Sequence, residues 1–255
     1  MHANAGSRAA ALRSRPVDAR VFRGFATFLF CVCGSGASAQ LSGTLSAVSD
    51  YRYRGITFSD LRPAAQAGLT YDDPKGWYAG AFGSTVRLNP RGRSSSNFQT
   101  ILYAGYATRL SSAISVEAGG DYSAFSGSSD LNYGEVFVGG AIDNVNARIY
   151  YSPRYFGQPP RAFYGEINAT QPLFDRVGLH LHAGFLRYTY DNPYLPVYGI
   201  APTHNVVDGR IGVRADLDRF QLEIAWVGVS NHAAAYQITS RTSPNGVVAA
   251  VSFAF

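Results

Sequence analysis

Gly246-Val247-Val248-Ala249-Ala250-Val251-Ser252-Phe253-Ala254-Phe255, the end of the chain, puts its large apolar residues Val247, Val251, Phe253 and Phe255 on alternate positions, with Ala250, Ser252 and Ala254 between them. A period of two predicts a strand with one oily face. It stops on an aromatic residue with no trailing polar residue, so its apolar face needs a partner that the rest of the chain must supply.

The other end reads as a targeting segment, residues 1–39. Arg8, Arg13, Arg15, Arg20 and Arg23 form a basic leader, Phe25 to Cys33 is apolar, and Ala37-Ser38-Ala39 is a small-residue cleavage site before Gln40. An apolar run this short falls well below the roughly twenty residues of a membrane helix. Export and removal are therefore expected. A lipid anchor at Cys31 or Cys33 is the rival, but Phe30 and Val32 stand where a small residue is expected.

The whole chain has 22 Lys+Arg and 17 Asp+Glu. The leader takes five Arg and only Asp18, which leaves 17 basic and 16 acidic side chains. The apparent basicity belongs to the leader, and nucleic-acid binding loses its support. Both cysteines leave as well, excluding disulfides, a thiol nucleophile and Cys-ligated zinc from residues 40–255.

Those residues read as one domain of about twelve strands. Leu41 to Arg54 alternates Leu41, Gly43, Leu45, Ala47, Tyr51 and Tyr53 with Ser42, Thr44, Ser46, Asp50, Arg52 and Arg54. Further strands are predicted over 63–71, 77–86, 98–108, 112–122, 131–141, 145–155, 161–170, 176–188, 205–215, 219–230 and 246–255. Several repeat the two-faced pattern: Ser115, Glu117 and Asp121 oppose Ile114, Val116 and Tyr122, and Arg148 and Arg154 oppose Val145 and Ile149. Tyr164, Glu166 and Asn168 likewise oppose Phe163 and Ile167; Asp208, Arg210 and Arg214 oppose Val207, Ile211 and Val213; Glu223 opposes Leu222 and Ile224. Connections alternate long and short, from the compact Asp72-Asp73-Pro74-Lys75-Gly76 to the long segment 189–204.

A charged face along whole strands and an oily face on the other side predict a closed antiparallel transmembrane β-barrel, with short periplasmic turns and longer outward loops. The terminal strand resembles the closing strand of bacterial outer-membrane barrels. It is expected to pair with Leu41 to Arg54, with Phe255 and Phe253 serving as the assembly signal. Tyr and Trp near strand ends read as interface girdles.

Ser49-Asp50-Tyr51-Arg52-Tyr53-Arg54-Gly55-Ile56-Thr57, followed by Ser59-Asp60, Pro63-Ala64, Gln66 and Gly68, resembles the TorF-type porin family, exported proteobacterial proteins of unknown function. Gly76-Trp77-Tyr78-Ala79-Gly80, Tyr103-Ala104-Gly105-Tyr106 and Tyr150 to Phe156 extend the resemblance along residues 40–255. It implies an outer-membrane barrel. Where the family carries acidic residues on its fourth strand this chain has Gln99 and Ile101, so that patch does not transfer.

The candidate solute path is Asp50, Arg52, Arg54, Glu117, Asp121, Arg148, Arg154, Glu166, Asp208, Arg210, Arg214 and Glu223. Arg forks facing carboxylates suit a pore that handles charged groups of solutes, and they equally suit a salt-bridge network filling a narrow barrel. His180 and His182 share a face at strand spacing, simplest as a wetted lumen pair; neither a metal nor a cofactor is expected. Arg87, Arg91 and Arg93 read as a solvated loop. The expected activity is passive diffusion of small hydrophilic solutes, with outer-membrane lipid and the barrel assembly machinery as partners and no enzymatic chemistry. One alternative is an outer-membrane lipid hydrolase using Ser230 and His232; the other is a closed structural or assembly barrel.

Overall fold

A computed structural model describes residues 39–88, 95–157, 161–189, 203–230 and 245–255. In chain order the strands are β1 (Gln40–Val48), β2 (Arg52–Tyr53), β3 (Ile56–Thr57), β4 (Ala64–Asp72), β5 (Trp77–Leu88), β6 (Ser96–Arg109), β7 (Ile114–Phe125), β8 (Tyr133–Ile142), β9 (Val145–Ser152), β10 (Arg161–Phe174), β11 (Val177–Thr189), β12 (Thr203–Leu217), β13 (Phe220–Val229) and β14 (Gly246–Ala254). All but β2 and β3 join a closed antiparallel barrel of twelve strands, each paired with its sequence neighbour. The predicted strands therefore all appear, with ends shifted by a few residues.

The ring closes between the first and last strands. β1 and β14 pair from Thr44↔Ala254 to Val48↔Ala250. Gly43 N–H donates to the Phe255 carbonyl at 2.9 Å, and Phe255 N–H returns to the Gly43 carbonyl at 3.0 Å. Closure satisfies the backbone groups that an open edge would present to lipid.

Alternation decides which way each side chain points. Val247 is 67% exposed, whereas Ser252, of opposite parity on the same strand, is 2% exposed. Leu41, Leu45, Ile149, Ile167, Ile211 and Ile224 all lie on the exposed outer face. Apolar residues outside and polar ones within invert a soluble core, and the arrangement is stable only where the solvent is hydrocarbon. At the short-turn end Trp77 meets Tyr106 at 5.1 Å between ring centroids, and Phe220 meets Phe253 at 5.2 Å. Near the other end Tyr151 meets Phe163 at 4.8 Å. Of these, Trp77, Tyr106, Phe163 and Phe220 are exposed on the outer face.

One expectation fails. The strand predicted over Leu41 to Arg54 ends at Val48, and residues 49–63 turn inward, carrying the small ribbon β2–β3. Asp50 is its internal clasp, accepting hydrogen bonds from Thr57 Oγ1 at 2.5 Å and Ser59 Oγ at 3.0 Å and pairing with Arg52. Ser59 Oγ in turn accepts Tyr51 N–H at 2.8 Å, and Thr57 Oγ1 accepts Leu61 N–H at 3.0 Å. Side chains thus replace the ladder that a barrel strand would have offered. A register shift between Thr85 and Leu88 on β5 accompanies an Arg87 N–H bond to the Phe58 carbonyl at 2.7 Å, which ties the hairpin to the wall.

Candidate functional site: the occupied lumen

The inward hairpin reaches across the barrel at its long-loop end. Tyr51 donates to Gln99 Oε1 on β6 at 3.1 Å. Phe58, with no exposed surface, packs against Phe125 of β7 at 6.3 Å and Phe156, in the β9–β10 connection, at 6.0 Å. On the far side, a Cβ added to Gly55 would lie 2.7 Å from Asp208 Cβ on β12 and 2.9 Å from Val229 Cβ on β13. Only glycine allows so close a seat, and its φ of +77° suits glycine as well.

Arg54 is the hairpin's principal contact. Its Nη1 and Nη2 bind Glu135 Oε1 and Oε2 at 3.1 and 2.6 Å, a bidentate fork, and Nη1 also donates to Tyr155 Oη at 3.0 Å. Its guanidinium carbon lies 4.2 Å from the Tyr164 ring centroid, 5.0 Å from Tyr53, 5.2 Å from Tyr150 and 5.3 Å from Tyr155. Burial pulls the guanidinium towards neutrality, but the Glu135 carboxylate and the surrounding tyrosine oxygens more than offset it, leaving the pKa above the ordinary arginine range. Burial likewise pushes the Tyr51 phenol upward, against a smaller downward pull from Arg54.

The remaining predicted lumen residues form separate clusters. Arg148 on β9 pairs with Glu117 on β7 and stacks over Phe137, while Tyr78 donates to Glu117 Oε2 at 2.7 Å. Asp121 stands opposite Glu135 in the β7–β8 register. Glu166 accepts Tyr150 Oη at 3.4 Å. His182 bridges Asn168 Oδ1 at 2.7 Å and Asp208 Oδ1 at 2.8 Å. Near the short turns Arg210 pairs with Glu223, and Arg214 lies 3.5 Å from Asp216. His180 faces the same interior, and its Nε2 has no hydrogen-bond partner among the described residues.

Two placements need correction. Arg154 is exposed beyond the end of β9, because that strand stops at Ser152 before Pro153. Asp50, Arg52 and Arg54 are inside, but on the hairpin rather than on a wall strand. Sequence reasoning missed Glu135, which is 4% exposed on the Gly- and Val-rich β8, and the buried tyrosines Tyr51, Tyr133, Tyr150 and Tyr155; Tyr164 was set on the polar face with Glu166 but not named as a site residue. Their parity relative to outward residues was the available signal: Tyr150 and Tyr164 share a face with Arg148 and Glu166. Ser230 Oγ accepts Val207 N–H at 2.7 Å, while His232, Arg91 and Arg93 lie outside the described residues.

A family described as bacterial protein of unknown function (Gcw_chp) matches residues 33–254. No curated protein matches the sequence. Among solved structures, the NanC porin is 12% identical, with a TM-score of 0.51 over 85% of this chain and 99% of that one. The KdgM porin is 11% identical, with a TM-score of 0.49 over 84% of this chain and 99% of that one. KdgM in complex with disordered oligogalacturonate is also 11% identical, covering 86% and 99% of the two chains at a TM-score of 0.47. The NanC likeness shows a shared barrel fold.

Proposed function

This chain belongs to the Gcw_chp family of bacterial proteins of unknown function, and we propose that it is a porin-like channel of the bacterial outer membrane through which small hydrophilic solutes diffuse passively. The observation that carries this reading is the inverted barrel, apolar over most of its described outer wall and lined within by Arg, Asp, Glu, His, Asn and Tyr set among apolar side chains such as Leu186 and Val206. Such an interior offers a solute replacement hydrogen bonds at every level. The TorF-type resemblance around Ser49 to Gly68 supports the same reading. Residues 1–39 act as the export signal, and the Phe253–Phe255 end as the signal read during assembly.

The path is narrow. Twelve strands fall between barrels that side chains fill and barrels that hold open aqueous channels. The hairpin from Ser49 to Pro63 narrows the long-loop half further, so small solutes are the ones admitted. The same hairpin favours a second reading, a closed barrel with a structural role. Single-channel recording and liposome swelling with neutral sugars separate them: a channel gives conductance steps and size-limited swelling, whereas a structural barrel gives neither.

A further inference from the structure

Arg54 occupies a site built for a cation. A bidentate carboxylate from β8, two wall tyrosines, Tyr150 on β9 and Tyr164 on β10, and Tyr155 just beyond β9 surround one guanidinium. Those strands are adjacent in the barrel and paired, so Glu135, Tyr150 and Tyr164 are held by the wall itself, while Tyr155 stands on the β9–β10 connection, whose Phe156 packs against Phe58 of the hairpin. Elsewhere in the lumen Arg148, paired with Glu117, lies over the Phe137 ring at 4.9 Å, and half-buried Arg210 pairs with Glu223. Aromatic faces around a desolvated carboxylate are the general recognition chemistry for organic cations.

The hairpin that delivers Arg54 is held in place by its contacts more than by its own conformational preference. Its ladder is only Arg52↔Thr57 and Tyr53↔Ile56. Arg54, Asp60 and Leu61 all have left-handed backbone, with φ of +49°, +58° and +59°, a region that side-chain-bearing residues rarely adopt. A strained segment seated on the wall by several contacts, of which Arg54 makes the most, has the construction of a two-state element.

We infer that Glu135, Tyr150, Tyr155 and Tyr164 form a binding site for small organic cations, guanidinium-like or quaternary ammonium, with Arg54 as a tethered occupant whose displacement by a free cation releases the hairpin and widens the path. This rests on the channel reading. A ligand acts here only through competition, since it binds the unseated state and shifts the population towards it.

The test is single-channel recording of the full barrel, with potassium chloride exchanged for methylguanidinium chloride or tetramethylammonium chloride at constant ionic strength. For the wild-type protein, open-level occupancy should rise with the concentration of either organic cation, by about tenfold at about ten times its dissociation constant. Arg54→Ala should start at high occupancy and respond no further, with heat-modifiable gel migration confirming that the barrel is folded. If that variant does not fold, the wild-type titration decides by itself. A conducting wild type with the same occupancy in potassium and in both organic cations overturns the inference and leaves the channel reading standing. Folded wild-type and Arg54→Ala barrels that both stay silent overturn the channel reading and this inference with it.

Discussion

Replacing Gly55 with alanine tests the hairpin's seat without touching a charge. The new Cβ would sit 2.7 Å from Asp208 Cβ and 2.9 Å from Val229 Cβ, both on the barrel wall and unable to swing aside as a long side chain could. The left-handed backbone at this position costs an L-residue about 1–2 kcal/mol. Overpacking against a rigid wall adds about 1–3 kcal/mol. Together, about 2–5 kcal/mol acts against the seated hairpin, a shift of roughly thirtyfold to a few thousandfold in the seated-to-unseated ratio at about 1.4 kcal/mol per factor of ten. Barrel pairing should survive, because β4 and β14 each pair with β1 without using Gly55. Single-channel recording should show larger or longer-lived open levels, and heat-modifiable migration should match the wild type. Gly165→Ala is the control, since no atom lies within 4 Å of its added Cβ. Unchanged conductance from folded Gly55→Ala protein would refute the assignment of the hairpin as the constriction.

Arg148→Ala should leave the Glu117 carboxylate buried without its cation and cost about 3–5 kcal/mol, read as a lower urea midpoint in lipid vesicles; the double change Arg148→Met with Glu117→Leu should lose much less. Deleting Phe255 removes both backbone bonds to Gly43 at the seam and the ring packed over that glycine, so the heat-modifiable folded fraction in outer membranes should fall; normal insertion would count against its assembly role. Among the described residues of the lumen, Asp50, Glu117, Asp121, Glu135, Glu166, Asp208 and Glu223 outnumber Arg52, Arg54, Arg148, Arg210 and Arg214. A potassium chloride gradient should therefore give a reversal potential of cationic sign, and an anionic sign would contradict that charge balance.

The twelve strands were legible because every wall residue faces one of two solvents, which writes a period of two into the sequence. Val247 and Ser252 carry that pattern on the closing strand, as do Ile149 and Arg148 on β9. The hairpin was not legible for the same reason. Asp50, Arg52 and Arg54 alternate with Tyr51 and Tyr53 as a wall strand would, and a ribbon enclosed by the lumen tolerates polar and aromatic residues on both faces. Gly55 and Pro63 were the marks of a turn, and the clasp of Asp50 with Thr57 and Ser59 is a local contact within ten residues of chain. Tyrosine was ambiguous, since its ring suits lipid headgroups and its hydroxyl suits a wet interior. The pairing of Arg54 with Glu135 depends on how far the hairpin reaches and on the stagger of the strands, neither of which alternation encodes. Arg154 was misplaced by continuing the period past Ser152 into Pro153, which has no N–H to extend a ladder.

The central claim is that this barrel conducts. Purified, folded protein reconstituted into a planar bilayer should give discrete conductance steps, small in the wild type and enlarged in Gly55→Ala. Heat-modifiable, correctly inserted barrels that give no steps in either form would contradict it.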